Sequence, residues 1–470
     1  MNSLSLCMRR GAAKSPRCPR ISPILKRATI SVSQSRNIIA RPLSSSSVAP
    51  LAPRFFPTSG FKVIDCSQPI EEERLPDYQA DIYYPAHIGQ VFNNRYQIVG
   101  KLGYGVTSTV WLARDLVKPD DPGYVSLKIY VSGYTRGNEI AMYERINAIA
   151  AKSKHSGYED IRKFITSFEV QGPHAKHICI VQQALGITMD RLLPYLKNNS
   201  LTLEAVKPFL RQLLFALDFL HTQAGIIHTD LQPKNLLLPV SNPSFYKEFG
   251  DGEGNDPSDR KIYKDRTIYA SRYMSQSLKG LPLICDFGDA RVADQEHDDL
   301  IMPGPYRAPE VVMQTKWNCA VDIWSFGMVA WHFVASKPLF SGRDPETNEH
   351  HDGHLIAELG AVLGPPPSEL MHRSRLSIGL GKWKKLVPMP DITLEKLAAG
   401  NIQGAEDKDK ERFLRFLRRI LCWLPEERPS AKDLIFDPWL MDGLGFTDEQ
   451  VEYYKEHWLE EDGEEQDDGS

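Results

Sequence analysis

From Arg95 to Asp115 the chain reads RYQIVGKLGYGVTSTVWLARD, and from Tyr124 to Tyr130 it reads YVSLKIY. β-Branched and aromatic runs broken by glycine predict antiparallel strands. The pattern then changes. GNEIAMYERINAIA (137–150) and LEAVKPFLRQLLFALDFLHTQ (203–223) place apolar residues at helical spacing, and helical patterns dominate from there on. VDIWSFGMVAWHFVA (321–335) is apolar nearly throughout, but it contains Asp322 and is shorter than a membrane span, so it predicts a buried core helix. A strand-rich first third followed by a helical remainder predicts an α+β protein of two lobes, with a cleft between them.

Composition sets the limits. A chain of 470 residues, 42% hydrophobic and 25% charged, has room for one large two-lobed domain plus tails. Its net charge of −4 argues against a dedicated nucleic-acid binder. Seven scattered cysteines (Cys7, Cys18, Cys66, Cys179, Cys285, Cys319 and Cys422) form no Cys-x-x-Cys pair, which predicts reduced thiols and no structural zinc. The first 64 residues hold no Asp or Glu but many Arg and a Ser run at 44–47. That is the composition of a mitochondrial presequence, the alternative being a plain basic tail in a cytoplasmic or nuclear protein. The end, EEDGEEQDDGS (460–470), predicts solvated acidic disorder. The expected organisation is a tail at 1–62, an extension at 63–92, a first lobe at 93–186, a second lobe at 187–440 with an insertion at 240–280, and an acidic tail at 441–470.

Several motifs carry chemistry. Gly103 and Gly105, followed by Ser108 and Val110, would let a strand–turn–strand backbone close over phosphates while the Val packs on a base. Lys128 sits centrally in an apolar strand, where a Lys needs a partner, and Glu139 on the next helix can supply one. Asp230 and Asn235 stand five apart in IIHTDLQPKN, and Asp286 opens DFG after a strand. One carboxylate to accept a hydroxyl proton and two oxygen ligands for a hard cation suit phosphoryl transfer. Glu310 in YRAPE is placed to pair with Arg428, and Asp322 to anchor the backbone of the loop that carries Asp230.

These motifs, in this order, resemble a eukaryotic protein kinase, and most closely the SR-protein kinase family. The resemblance rests on KLGYGVTSTVWLARD, HICIVQQALG, IIHTDLQPKNLLL, DGHLIAELGAVLG and LPEERPSAKDLIFDPWL and spans roughly residues 92–440. His-Thr-Asp in place of His-Arg-Asp, and an insertion after the strand that follows, are habits of that family; the insertion here (241–267) is short and polar. The resemblance implies ATP and magnesium as cofactors and transfer to Ser or Thr hydroxyls. It also implies Arg/Ser-rich splicing proteins as substrates; beside these and ATP, no direct nucleic-acid contact is expected, and the chain is expected to be a monomer. Its catalytic set maps to Asp230, Lys128, Glu139 and Lys234. Nucleotide contacts map to Leu102, Gly103, Tyr104, Gly105, Val106, Ser108, Val110, Lys128, Gln183 and Leu185, and magnesium ligands to Asn235 and Asp286.

Three departures bear on activity, at Gln232, at Pro303 and at GPY (304–306), which replaces the Arg-bearing triplet common before the final Tyr-Arg, though Arg307 is kept. Gln232 replaces the Lys that would contact the γ-phosphate and the catalytic Asp, and Pro303 stands where a Thr bonds the same groups. Lys234, four residues after Asp230, is the candidate substitute cation, as in many tyrosine kinases. Thr229 replaces the Arg that receives an activation-segment phosphate, and DFGDARVADQEHDDLIMPGP (286–305) has no Ser, Thr or Tyr to modify. Glu296, Asp298 and Asp299 in that segment would either order it or attract a basic peptide. An active kinase with a relocated lysine is the reading favoured by the retention of all five core residues; a nucleotide-binding pseudokinase scaffold is the alternative.

Overall fold

The computed structural model describes residues 51–117, 123–134, 138–272, 280–375 and 387–458. The first lobe is a six-stranded antiparallel sheet of β1 (Val91–Phe92), β2 (Tyr96–Tyr104), β3 (Ser108–Asp115), β4 (Tyr124–Tyr130), β5 (Phe164–Gln171) and β6 (Lys176–Gln183), in the order β1-β2-β3-β4-β6-β5. Lys128 lies opposite Val110 on one side and Ile180 on the other, so it stands mid-sheet. The glycine run forms the β2–β3 turn, which Gly105 closes by donating to the Ser108 carbonyl at 2.8 Å. Helix α1 (Glu139–Ala150) buries Glu139, Met142, Tyr143 and Ile146.

The second lobe is helical, and the α+β architecture of two lobes is the one expected. Helix α2 (Leu203–Asp218) runs on as a π-helical turn to Ala224, where Gly225 at φ +59° ends it. Left-handed backbone is where glycine costs least. The short strands β7 (Ile226–Ile227) and β8 (Leu236–Leu237) bracket the loop carrying Asp230. The run predicted as a core helix is helix α4 (Ala320–Ala335), buried along almost its whole length, Asp322 included. Among the described residues no helix is long and apolar enough to cross a membrane, and the five described cysteines are free.

The insertion differs most from expectation. It folds as helix α3 (Ser244–Asn255) and the hairpin β9 (Arg260–Ile262) and β10 (Thr267–Tyr269), and it packs on the first lobe. Tyr246 and Phe249 of α3 join Val99, Leu112 and Tyr124 in one apolar cluster. Phe249 lies so close to Gly100 that a Cβ there would stand 2.6 Å from the ring. The N-terminal extension closes this layer with buried ion pairs: Lys101 with Glu72, and Lys261 with Glu73 at 2.7 Å. The acid-rich EEER at 71–74 meets a buried lysine from the sheet, Lys101, and one from the hairpin, Lys261, which is how a polar extension joins a packed layer.

Two expected boundaries are corrected. Residues 51–62 belong to the folded body: the Leu51 amide donates to the Leu116 carbonyl at 2.8 Å, and Arg54 pairs with Asp251 at 2.8 Å. At the other end, helix α5 (Asp448–Glu456) is followed by Trp458, whose Nε1 donates to Asp218 Oδ2 at 2.8 Å and whose ring packs on Phe215. Aromatic anchoring, invisible in a charge count, holds 441–458 against the core. The presequence and acidic-end expectations fall on residues 1–50 and 459–470, outside the described residues.

Candidate active site

Between the lobes lies a cleft of about 840 Å³ lined by Leu102, Gly103, Tyr104, Gly105, Val106, Ser108, Val110, Lys128, Glu139, Leu185, Asp230, Lys234, Asn235 and Asp286, among others. Lys128 Nζ meets Glu139 Oε2 at 2.8 Å and Asp286 Oδ1 at 3.0 Å, joining sheet, helix α1 and the DFG turn. Burial works against the Lys128 charge, but the Asp286 and Glu139 carboxylates overcome it and hold the ammonium above the ordinary lysine range. Burial pushes Glu139 up; at Asp286 burial also pushes up, but the Lys128 charge and hydrogen bond together with the Gly288 amide outweigh it and hold the carboxyl down.

Asp230 is positioned by backbone. Asp322, fully buried in α4, accepts from the main-chain amides of His228 and Thr229, both at 2.8 Å. These two bonds hold Thr229 at φ +64°, an uncommon conformation for a β-branched residue. The Asp230 carboxylate then receives Asn235 Nδ2 at 2.7 Å on one oxygen and the Gln232 amide on the other. Lys234 Nζ stands 3.7 Å from Asp230 Oδ2 with its side chain 57% exposed at the cleft mouth. Burial raises the Asp230 carboxyl above its ordinary value, with Lys234 the first of the groups that oppose it.

An aromatic column backs the site. Phe287 of the DFG turn packs edge-on to Tyr143 of α1 and to His228, each at 5.0 Å between centroids. The column links α1 to the loop that Asp322 holds. Glu310 and Arg428 form a two-pronged pair, 2.7 Å in both arms, with neither side chain exposed.

The activation segment is ordered by its own contacts. Thr229 Oγ1 donates to the Asp289 carbonyl at 2.6 Å, and the strand β11 (Arg291–Val292) pairs with β7. Glu296 pairs with Lys316, Asp298 with Arg375 and Asp299 with Arg291, at 2.5, 2.6 and 2.7 Å. Of the two roles open to these acids, the contacts are those of loop ordering.

Gln183 is not among the residues lining the cleft; its side chain turns to the Lys163 amide, and Gln182 lines the cleft in its place. Strand alternation, counted from Lys128 through its pairing, was the signal available for this. Sequence reasoning also missed Arg162, which lines the cleft, and Tyr83, whose hydroxyl lies 3.0 Å from the Gly105 carbonyl and 3.1 Å from that of Val106. No local motif marks either residue.

The donor set fits magnesium. Asn235 spends its amide nitrogen on Asp230 and keeps its oxygen for the cleft, and Asp286 uses one oxygen on Lys128 and keeps the other. Two hard oxygens beside a phosphate-sized space are what that ion requires.

A two-lobed α+β body with a Lys–Glu pair, an Asp on a loop anchored from a core helix, and a DFG turn defines a phosphotransferase cleft. The chain belongs to the protein kinase family: the protein kinase domain matches residues 96–440. A serine/threonine protein kinase of Aspergillus fumigatus is 38% identical over 401 residues, covering 84% of this chain and 96% of the relative. The serine/threonine-protein kinase SRPK of Physarum polycephalum is 31% identical over 403 residues, covering 79% of this chain and 92% of that protein. Protein kinase dsk1 of Schizosaccharomyces pombe is 25% identical over 473 residues, covering 78% of this chain and 85% of that protein. This is a serine/threonine protein kinase close to the SR-protein kinases.

Proposed function

We propose that the chain transfers the γ-phosphoryl group of ATP, with magnesium, to Ser or Thr hydroxyls of Arg/Ser-rich proteins. Asp230 orients the hydroxyl and accepts its proton; Lys128, fixed by Glu139, holds the nucleotide's phosphates; Asn235 and Asp286 hold magnesium, which neutralises charge on the transferring group. Lys234 supplies the γ-phosphate cation from the position four after Asp230. The single observation that carries this reading is the assembled Lys128–Glu139–Asp286 chain beside an Asp230 that Asn235 and Gln232 both orient. A scaffold that only binds nucleotide would use the lysine chain, but has no need of an oriented Asp230.

Incubation with labelled ATP, magnesium and a mixed peptide library tests the activity, and sorting the labelled peptides tests the substrate class. Label concentrated in Ser flanked by Arg supports it; label spread without regard to Arg removes the Arg/Ser assignment, and no label at all removes the active kinase. The place of action rests on residues 1–62. Their fusion to a fluorescent reporter should give organellar import for a presequence, and diffuse signal for a basic tail on a cytoplasmic or nuclear enzyme.

A further inference from the structure

One wall of the cleft has hydrogen-bonding capacity that the protein leaves unused. Arg162, only 9% exposed, lines the cleft and donates from Nε to the Gln183 carbonyl at 3.0 Å. The outer nitrogens of its guanidinium meet no acceptor among the described residues. Gln182 gives its amide nitrogen to Glu139 Oε1 at 3.3 Å, and its buried Oε1 has no partner. Ser126 stands opposite Gln182 on β4, on the same face as Lys128, with its buried Oγ also unpartnered. Unpaired buried polar atoms such as Gln182 Oε1 are costly, and the cleft-facing Arg162 guanidinium keeps donors to spare. Arg162 and Gln182 line the cleft, with Ser126 behind them, and a ligand in the cleft can meet the first two.

The wall's position says which part of a ligand that is. Phosphates belong with Lys128 and the glycine turn, so a bound nucleotide brings its base towards Leu185 and the neighbouring Gln183 carbonyl that Arg162 holds. Apolar Leu102 and Val110 from the first lobe and Leu237 from the second also line the cleft and suit the flat faces of a base. The polar wall then meets the base edge. The matching chemistry is general: Arg pairs with the adjacent O6 and N7 acceptors of guanine, and a side-chain amide with the N6 donor and N7 acceptor of adenine. Arg162 offers donors, and Gln182 Oε1 offers an acceptor. The carbonyl of Gln183, which could otherwise accept from an adenine amino group, is already engaged by Arg162.

We propose that the cleft accepts GTP as well as ATP as phosphoryl donor, Arg162 reading the guanine edge and Gln182 the adenine edge. The inference rests on the kinase reading and deepens it. With either nucleotide the bond from the γ-phosphorus to its bridging oxygen breaks and a bond to the substrate hydroxyl oxygen forms. The hydroxyl proton passes to Asp230, and GDP leaves where ADP otherwise would.

The test uses the full chain, with kcat/KM for ATP and GTP on one peptide and, independently, the thermal shift given by each magnesium nucleotide. Wild type should shift with both and use GTP within roughly tenfold of ATP, and Arg162→Val should lower GTP relative to ATP by roughly tenfold more, the size of one bidentate base contact. Gln182→Leu should move the ratio the other way. Arg162→Lys, which keeps the charge and loses the fork, gives the same reading should Arg162→Val fail to fold. GTP that gives no shift and turns over less than about one-hundredth as well as ATP overturns the proposal, as does a ratio that Arg162→Val and Arg162→Lys both leave unchanged. Absent phosphotransfer with both nucleotides sinks the kinase reading alone, and the two thermal shifts then still decide what Arg162 reads.

Discussion

Gln232 donates its amide to one oxygen of Asp230 while Asn235 donates to the other, so the position that lacks its lysine still orients the catalytic carboxylate. An amide supplies the hydrogen bond but no charge. The charge is available from Lys234, 3.7 Å from the same carboxylate. Lys234→Ala should therefore lower kcat/KM by about 3 kcal/mol, the scale of a lost electrostatic contact in a transition state. Adding Gln232→Lys should restore part of it. Full activity in Lys234→Ala would show that the lysine only faces solvent.

The same pair predicts a pH dependence. Asp230 accepts a proton only when ionised, and burial raises its pKa above the ordinary 3.8. As pH falls, the competent form is lost earlier than for a free Asp, so the acid limb of kcat/KM lies above that value. Lys234 opposes the rise, and its removal should carry the limb to still higher pH. An acid limb that stays in place in Lys234→Ala would mean that another group sets it.

Tyr83 gives the extension a part in catalysis. Its hydroxyl holds the carbonyls of Gly105 and Val106, and the neighbouring Ile82 carbonyl accepts from the Ser132 amide at 2.8 Å. The phosphate-covering turn is thus tied down from outside the sheet. Tyr83→Phe removes one hydrogen bond, worth about 1 kcal/mol, so KM for ATP should rise roughly fivefold. An unchanged KM would make the contact ornamental to the turn.

Much of this was legible in the sequence, for physical reasons. Lys128 in an apolar strand, Glu139 at the head of an amphipathic helix and the spacing of Asp230, Asn235 and Asp286 are local patterns with few alternative uses, and they located the cleft. The insertion was not legible as a first-lobe layer. Its polar composition hides two aromatics, Tyr246 and Phe249, that find their partners in strands far earlier in the chain. Arg162 and Gln182 were missed for a related reason: Gln182 becomes a cleft residue through strand register and Arg162 through the course of the chain before β5, which no short motif encodes.

Regulation follows from Thr229 and the segment it holds. A phosphate-ordered activation segment needs a cation beside the catalytic Asp and a hydroxyl to modify. Here Thr229 stands at the cation's place, and residues 286–305 hold no Ser, Thr or Tyr. The structure replaces both. Thr229 Oγ1 bonds the Asp289 carbonyl directly, the β7–β11 pairing fixes Arg291, and three ion pairs from Glu296, Asp298 and Asp299 pin the outer loop. Exposed pairs of this kind are individually worth under about 1 kcal/mol, so order comes from the set together with the buried hydroxyl bond. The enzyme should be active as synthesised, and phosphatase-treated protein should keep its full rate on a peptide substrate. Thr229→Val, which removes the hydroxyl and keeps the shape, should lower the rate more than any phosphatase treatment does. A large loss on dephosphorylation, mapped to Tyr306 or a nearby site, would show that a phosphate does the ordering instead.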